Sequence, residues 1–171
     1  MKSAITRAVC AFVSAQISST GLAIGGTSFP QRLLGFVDSV LRGIGQVMLQ
    51  DNSYTGLLFV IGIFFNSILF GWAVLLGTTA STATAMLLGV DRSHLRAGLF
   101  GFNGALVAIA LCYFLEPDIL ACGYVVLAAA CTTVIMAALL HFLATWKVPA
   151  LTAPFVVTTL LFVLACARFG R

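Results

Sequence analysis

The sequence predicts an all-α integral membrane protein with five transmembrane helices and one re-entrant half-helix. Three observations carry this reading. Hydrophobic residues make up 61% of the 171 residues and charged residues 8%, where soluble domains run near about 45–50% and about 25%. Mean hydropathy is +1.11. Apolar runs of roughly 20 residues, the length that crosses a bilayer core of about 30 Å, alternate with short turns rich in charge, Gly, Pro or Asn. Such a length leaves no room for a separate soluble domain, so residues 35–171 read as one membrane domain behind a tail of residues 1–34.

The tail carries Lys2 and Arg7, a modest apolar run, and then Ser/Thr/Gly-rich sequence up to Pro30. A poor signal peptide has a similar composition; a tail is the reading adopted. Residues 36–49 place Phe36, Val37, Val40, Leu41, Ile44, Val47 and Met48 at helical spacing, interrupted by Asp38, Arg42 and Gln46. A helix of that length spans about 21 Å and cannot cross alone. It is either an amphipathic helix on the membrane surface or a re-entrant half-helix. The following residues, 50–56, have the Asn/Asp/Ser/Gly chemistry of a chain reversal.

Residues 57–76 form an uncharged, Phe-rich span whose strongest hydrogen-bonding side chains are Asn66 and Ser67, with Gly77 as its expected end. Residues 78–90 carry four Thr and one Ser. This second span is short and semi-polar, so it should face other helices rather than lipid. The charged loop 91–96 leads into a third span, 97–115, around which the chain is organised. Its opening, AGLFGFNGALVAIAL, repeats Gly98, Gly101 and Gly104 at every third residue and adds the Asn103 amide and the rings of Phe100 and Phe102. Glycines so placed serve either close helix packing or a polar cavity at membrane depth. The turn Glu116-Pro117-Asp118 stops that helix. A long span, 119–143, follows, then an interfacial Trp146 and Lys147, and Pro149 begins the last span, 149–168.

The nine Lys and Arg are scattered from Lys2 to Arg171 without a basic cluster, which argues against nucleic acid. In a membrane protein they report orientation instead. Five spans place Lys2, Arg7, Arg32, Arg42, Arg92, Arg96 and Lys147 on one side and only Arg168 and Arg171 on the other. The N-terminus is therefore expected in the cytoplasm and the C-terminus outside. The five cysteines form no CxxC pair and mostly lie in apolar runs, so they read as small buried core residues.

Nothing in the sequence argues for an enzyme. His94 and His141 lack a Cys or carboxylate at metal-ligand spacing, and no phosphate loop or dinucleotide fingerprint is present, so no metal or cofactor is expected. Nor do the spans carry the buried Asp, Glu or Lys of ion-coupled carriers. Their polar groups are neutral: Gln46, Asn52, Asn66, Asn103, Thr152 and the Thr-rich run. A neutral polar solute moving passively fits these groups; so do polar residues that only pack helices.

Three segments in order resemble the urea transporter family. GIGQVMLQDNSYTG at 43–56 is similar to its GISQVxFxNNPLTG; LGVDRS at 88–93 running into GLFGFNGALV at 98–107 is similar to LGxDRS…GLYGFNGxLVG; VPALTAPF at 148–155 is similar to LPxxTxPF, with Val148 in place of Leu. The resemblance implies a passive, channel-like conduit for urea in the cell membrane, the inner membrane if the source is bacterial. It also implies two repeats of inverted topology, each with five spans and a re-entrant pore helix, assembled as a trimer with one pore per subunit. By matching position, Gln46 belongs to the polar end of the filter, Leu49 and Phe102 to the aromatic slot, Leu106 to its apolar middle and Thr152 to the central hydroxyl site. Urea is planar and neutral, with four N–H donors and one acceptor. A row of oxygens can replace its water while ring faces hold it flat.

Two residues depart from the family pattern. Leu49 stands where a Phe is usual, which removes one ring of the slot, and Ser53 replaces a Pro in the turn. Each motif occurs once where the family has two. The chain thus reads as a single repeat of an inverted-repeat channel, and its pore as incomplete without a second. That second repeat is either an antiparallel copy or a separate chain, unless the chain is a truncated remnant. Antiparallel copies require insertion in both orientations, which the charge bias opposes. The alternatives in function are a non-conducting structural or assembly subunit, and a channel for another small neutral amide or for ammonia.

Overall fold

The computed structural model describes residues 29–116 and 118–168. Their regular secondary structure is all helix, with no strand among them. Helix α1 is Phe29–Gly45, closed by a single 3-10 turn at Gln46–Met48; α2 is Ser53–Asn66, α3 Ile68–Leu87, and α4 the short Arg92–Arg96. Helix α5 is Gly101–Phe114, α6 is Ile119–Leu143 with a second 3-10 turn at Ala144–Trp146, and α7 is Ala153–Arg168. All contacts described below lie within residues 37–171, one compact unit.

At the centre is α5, packed on α3, α6 and α7. It is apolar on every side, as a helix surrounded by others must be, and Gly101 through Ala105, Val107, Ala108 and Leu111 are all buried. Where α5 crosses α3, Gly104 and Gly77 meet backbone to backbone. A Cβ on Gly77 would stand 2.4 Å from the Gly104 carbonyl oxygen, and one on Gly104 would stand 2.5 Å from that of Gly77. Gly98, in the left-handed region at φ +74°, lies against Gly43 of α1, whose nitrogen a Cβ on Gly98 would meet at 2.3 Å. The glycine series therefore serves close packing, the first of the two roles open to it from the sequence. Beside it a hydroxyl seam joins α3 to α6. The Ser81 and Thr133 hydroxyls meet at 2.6 Å, and each also reaches a backbone carbonyl, Ser81 that of Phe100 (2.8 Å) and Thr133 that of Ala129 (2.9 Å). As expected for the semi-polar segment, Thr78, Ser81 and Thr82 are buried.

Several boundaries differ from the sequence reading. The break expected at Gly77 falls at Ser67: α3 runs unbroken through Gly77, whose missing side chain admits α5 instead of ending a helix. Ser67 is extended (φ −159°, ψ 125°) and serves both helices at once. Its N–H closes α2 onto the Ile63 carbonyl (2.8 Å), and its hydroxyl accepts the Phe70 N–H at the start of α3 (3.4 Å). The ring of Phe64 then fills the place of a Cβ on Gly71 and meets Trp72 edge to face at 5.5 Å, folding the end of α2 onto α3. Helix already begins at Phe29, inside the expected tail, whose residues 1–28 lie outside those described. The third and last spans start later than expected, at Gly101 and Ala153. Of the cysteines within the described residues, only Cys166 is buried; Cys112 and Cys131 are half-buried and Cys122 is exposed, because an apolar run facing outward needs no cover in a membrane.

By length and composition two helical segments can cross a membrane, Ile68–Leu87 and Ile119–Trp146. A third span results if α1 and α2, bent by 75° across the turn between them, act together. α5 and α7 are apolar but shorter.

Candidate functional site

The five residues singled out by sequence stand on three segments: Gln46 and Leu49 on the turn after α1, Phe102 and Leu106 on α5, Thr152 just before α7. These segments meet at the N-terminal end of α5. Phe102, with Phe100, Ala85, Leu95, Met136 and Ala150, forms one buried apolar cluster, and Val47 and Leu106 pack against it from its edge. Val47 adjoins Gln46, and Ala150 lies two residues before Thr152.

Polar contacts hold each segment in place. The Gln46 amide Nε2 donates to the Ala97 carbonyl (2.9 Å), leaving its Oε1 without a hydrogen-bond partner among the described residues. Leu49 ends the turn in the left-handed region (φ 57°), a conformation that costs a non-glycine residue about 1–2 kcal/mol. Its N–H returns to the Gln46 carbonyl at 2.8 Å, and its side chain is 73% exposed. Leu151, at φ 43°, is held in a similar strained conformation.

The residue that fixes the third segment is Asn103, fully buried on α5. Its Nδ2 donates to the Leu151 carbonyl (3.3 Å), and its Oδ1 accepts the Phe155 N–H (3.3 Å), one of the unpaired amides of the first turn of α7. In the sequence Asn103 is one of several neutral polar groups, and nothing local marks it as this clamp. The signal for it was the pairing of a lone amide with a Pro-containing helix start some 50 residues on, which only a three-dimensional contact could connect.

The structure brings the three segments together but not all five side chains. Phe102 is 5% exposed, enclosed within the chain, while Thr152 and Leu49 are exposed. A groove of about 660 Å³ lies elsewhere, along α2 and against Phe70 and Ile109. It is walled by Leu58, Phe59 and Ile63, with Thr55 and Asn66 as its polar residues, and contains none of the five. His94 and His141 are exposed, and no group of three or more metal-ligating side chains occurs among the described residues.

The fold and this site define a polytopic helical membrane protein in which two loops meet at one end of a central, glycine-packed helix. The chain belongs to the urea transporter family: residues 37–171 match that family's sequence profile. It is similar to urea transporter 1 of sheep (Ovis aries), 34% identical over 147 residues, or 80% of this chain and 36% of the relative. Urea transporter 1 of mouse (Mus musculus) is 34% identical over 126 residues, covering 72% of this chain and 33% of the relative. The goat protein of the same name (Capra hircus) is 36% identical over 132 residues, covering 71% and 33%. The chain thus spans little more than a third of the length of these relatives.

Proposed function

We propose that this chain is one repeat of a passive, channel-like conduit for urea, completed by a second repeat in the opposite orientation. The observation that carries the reading is the convergence of the three family-like segments on one end of α5. Their two loops are held by neutral amides, Gln46 and Asn103, and among the buried residues of the site none is charged. Gln46 Oε1 and the Thr152 hydroxyl would accept from urea N–H groups, while Leu106 and Phe102 border an apolar middle that excludes hydrated ions. Leu49 would supply contact area there but no ring face. The conduit is proposed to lie in the cell membrane with its N-terminus cytoplasmic and to assemble further as a trimer. Glycine packing alone, as in a non-conducting assembly subunit, would also use Gly77 and Gly104, and it is the reading the experiment must separate.

Stopped-flow urea permeability of proteoliposomes makes that separation. The chain is reconstituted in both orientations, so that one copy can supply the second repeat to another. Urea flux is expected, and Thr152→Val or Gln46→Leu should each lower it about tenfold, the effect of losing one hydrogen bond at the barrier. Folded, inserted protein that passes no urea would rule out completion by an antiparallel copy and leave a second repeat on a separate chain or the assembly subunit. Flux unchanged by both substitutions would remove these residues from the path.

A further inference from the structure

The turn at residues 46–52 has little core to hold it. Gln46, Val47 and Met48 include no buried residue, and Leu49 to Asp51 are exposed. Yet the turn carries a strained Leu49 and must keep Gln46 at one end of α5. The strongest contacts that close it are ionic. Arg42, on the last turn of α1, donates through Nε to Asp38 Oδ2 (2.9 Å) and through Nη1 to Asp51 Oδ1 (2.8 Å). Its side chain is only 13% exposed. Asp38 uses its other oxygen to accept the Ser53 hydroxyl at the first residue of α2. One guanidinium therefore bridges a carboxylate four residues before it and another nine residues after it, and the loop between Arg42 and Asp51 contains both Gln46 and Leu49.

A single ion pair at a helix surface contributes little on its own. Here, however, the planar fork of arginine meets two carboxylates at once, a geometry that fixes orientation and that a lysine cannot reproduce. Backbone packing adds a second constraint at the same place: a Cβ on Gly45 would stand 2.8 Å from the Gln50 carbonyl oxygen. Partial burial sets the Asp38–Arg42 pair apart from a solvated charge run, Asp38 being 26% exposed, and Asp51 reaches that pair from the exposed turn.

We propose that Asp38, Arg42 and Asp51 form a latch that sets the 75° bend between α1 and α2 and holds the Gln46–Leu49 turn, with Arg42 as a positioning residue for the Gln46 end of the conduit. This role rests on the conduit reading above; the latch itself is tested apart from it. Hydrogen–deuterium exchange of the full chain in detergent reads the turn directly. Arg42→Gln is expected to speed exchange at residues 47–52 about tenfold, with α6 unchanged, and Arg42→Lys, which keeps the charge but not the fork, to fall between it and the unmodified protein. Asp51→Asn should reproduce the effect of Arg42→Gln. In the flux assay the same variants should lower urea permeation and raise the glycerol-to-urea ratio, whereas a purely structural role would lower both fluxes in step with folded protein. Unchanged exchange at 47–52, or equal acceleration in α6, would overturn the latch. Absence of urea flux in the unmodified protein would count against a conduit completed by an antiparallel copy while leaving exchange to decide the latch.

Discussion

Among the buried hydroxyls, burial alone does not tell which ones hold the bundle together. Ser81 is satisfied by the Phe100 carbonyl and by Thr133, whereas the hydroxyls of Thr82, Thr132 and Thr158 are buried without a hydrogen-bond partner among the described residues. Removing a paired group leaves its partner unmet, while removing an unpaired one removes only a desolvation cost. Ser81→Ala should therefore destabilise by about 1 kcal/mol, and Thr132→Val should be neutral or stabilising. Thermal unfolding in detergent compares the two; a larger loss for Thr132→Val would mean that its hydroxyl has a partner. The same reasoning shows why the Thr-rich run was ambiguous in sequence. Thr78 merely returns its hydroxyl to the Val74 carbonyl of its own helix (2.7 Å), and a hydroxyl facing a solute would have the same letter.

At the scale of elements, the α3–α5 crossing and the start of α7 decide where the site stands. Gly104→Ala puts a methyl group 2.5 Å from both the Gly77 oxygen and the Ser81 Cβ. It should cost about 1–3 kcal/mol as the helices are forced apart, measured as a lowered melting temperature. Asn103→Leu preserves volume but strands the Phe155 N–H and the Leu151 carbonyl, so exchange at residues 151–155 should rise by at least about tenfold, the effect of about 1.4 kcal/mol. Helix α4 starts differently, at an exposed carboxylate. The Ser93 N–H, followed by its hydroxyl, donates to Asp91 (both 2.8 Å) and holds that carboxyl below its usual pKa. A depressed folded-state pKa contributes stability that is present above the unfolded value and is lost as pH falls through the folded one. Amide exchange across Arg92–Arg96 should accordingly accelerate on acidification below the ordinary aspartate range, and Asp91→Asn should remove that pH dependence.

For the whole molecule, the proposed orientation follows from seven basic residues on one side against two on the other. A reporter active only outside the cytoplasm should work when fused to the C-terminus and fail at the N-terminus. Replacing Arg92 and Arg96 with Gln, at the two ends of α4, should produce a mixed population. Equal activity at both ends of the unmodified chain would instead identify dual insertion and supply antiparallel copies directly.

Composition and hydropathy determined the membrane class without help from the fold, because transfer into lipid is a sum over residues and depends little on their partners. The long helix α6 was legible to the residue at Ile119–Leu143, since Asp118 at its start and the apolar run behind it are local signals. The three family-like segments were equally legible as strings. Tertiary structure alone decided that Gly77 is a contact and Ser67 a break. A glycine ends a helix or admits a neighbour according to whether another backbone arrives, and a serine caps only where the chain turns. It alone paired Asn103 with Leu151 and Phe155, and Arg42 with Asp51. It also left Leu49 and Thr152 exposed while enclosing Phe102. These outcomes depend on contacts between residues distant along the chain, and no local pattern encodes which distant group will stand within hydrogen-bonding distance.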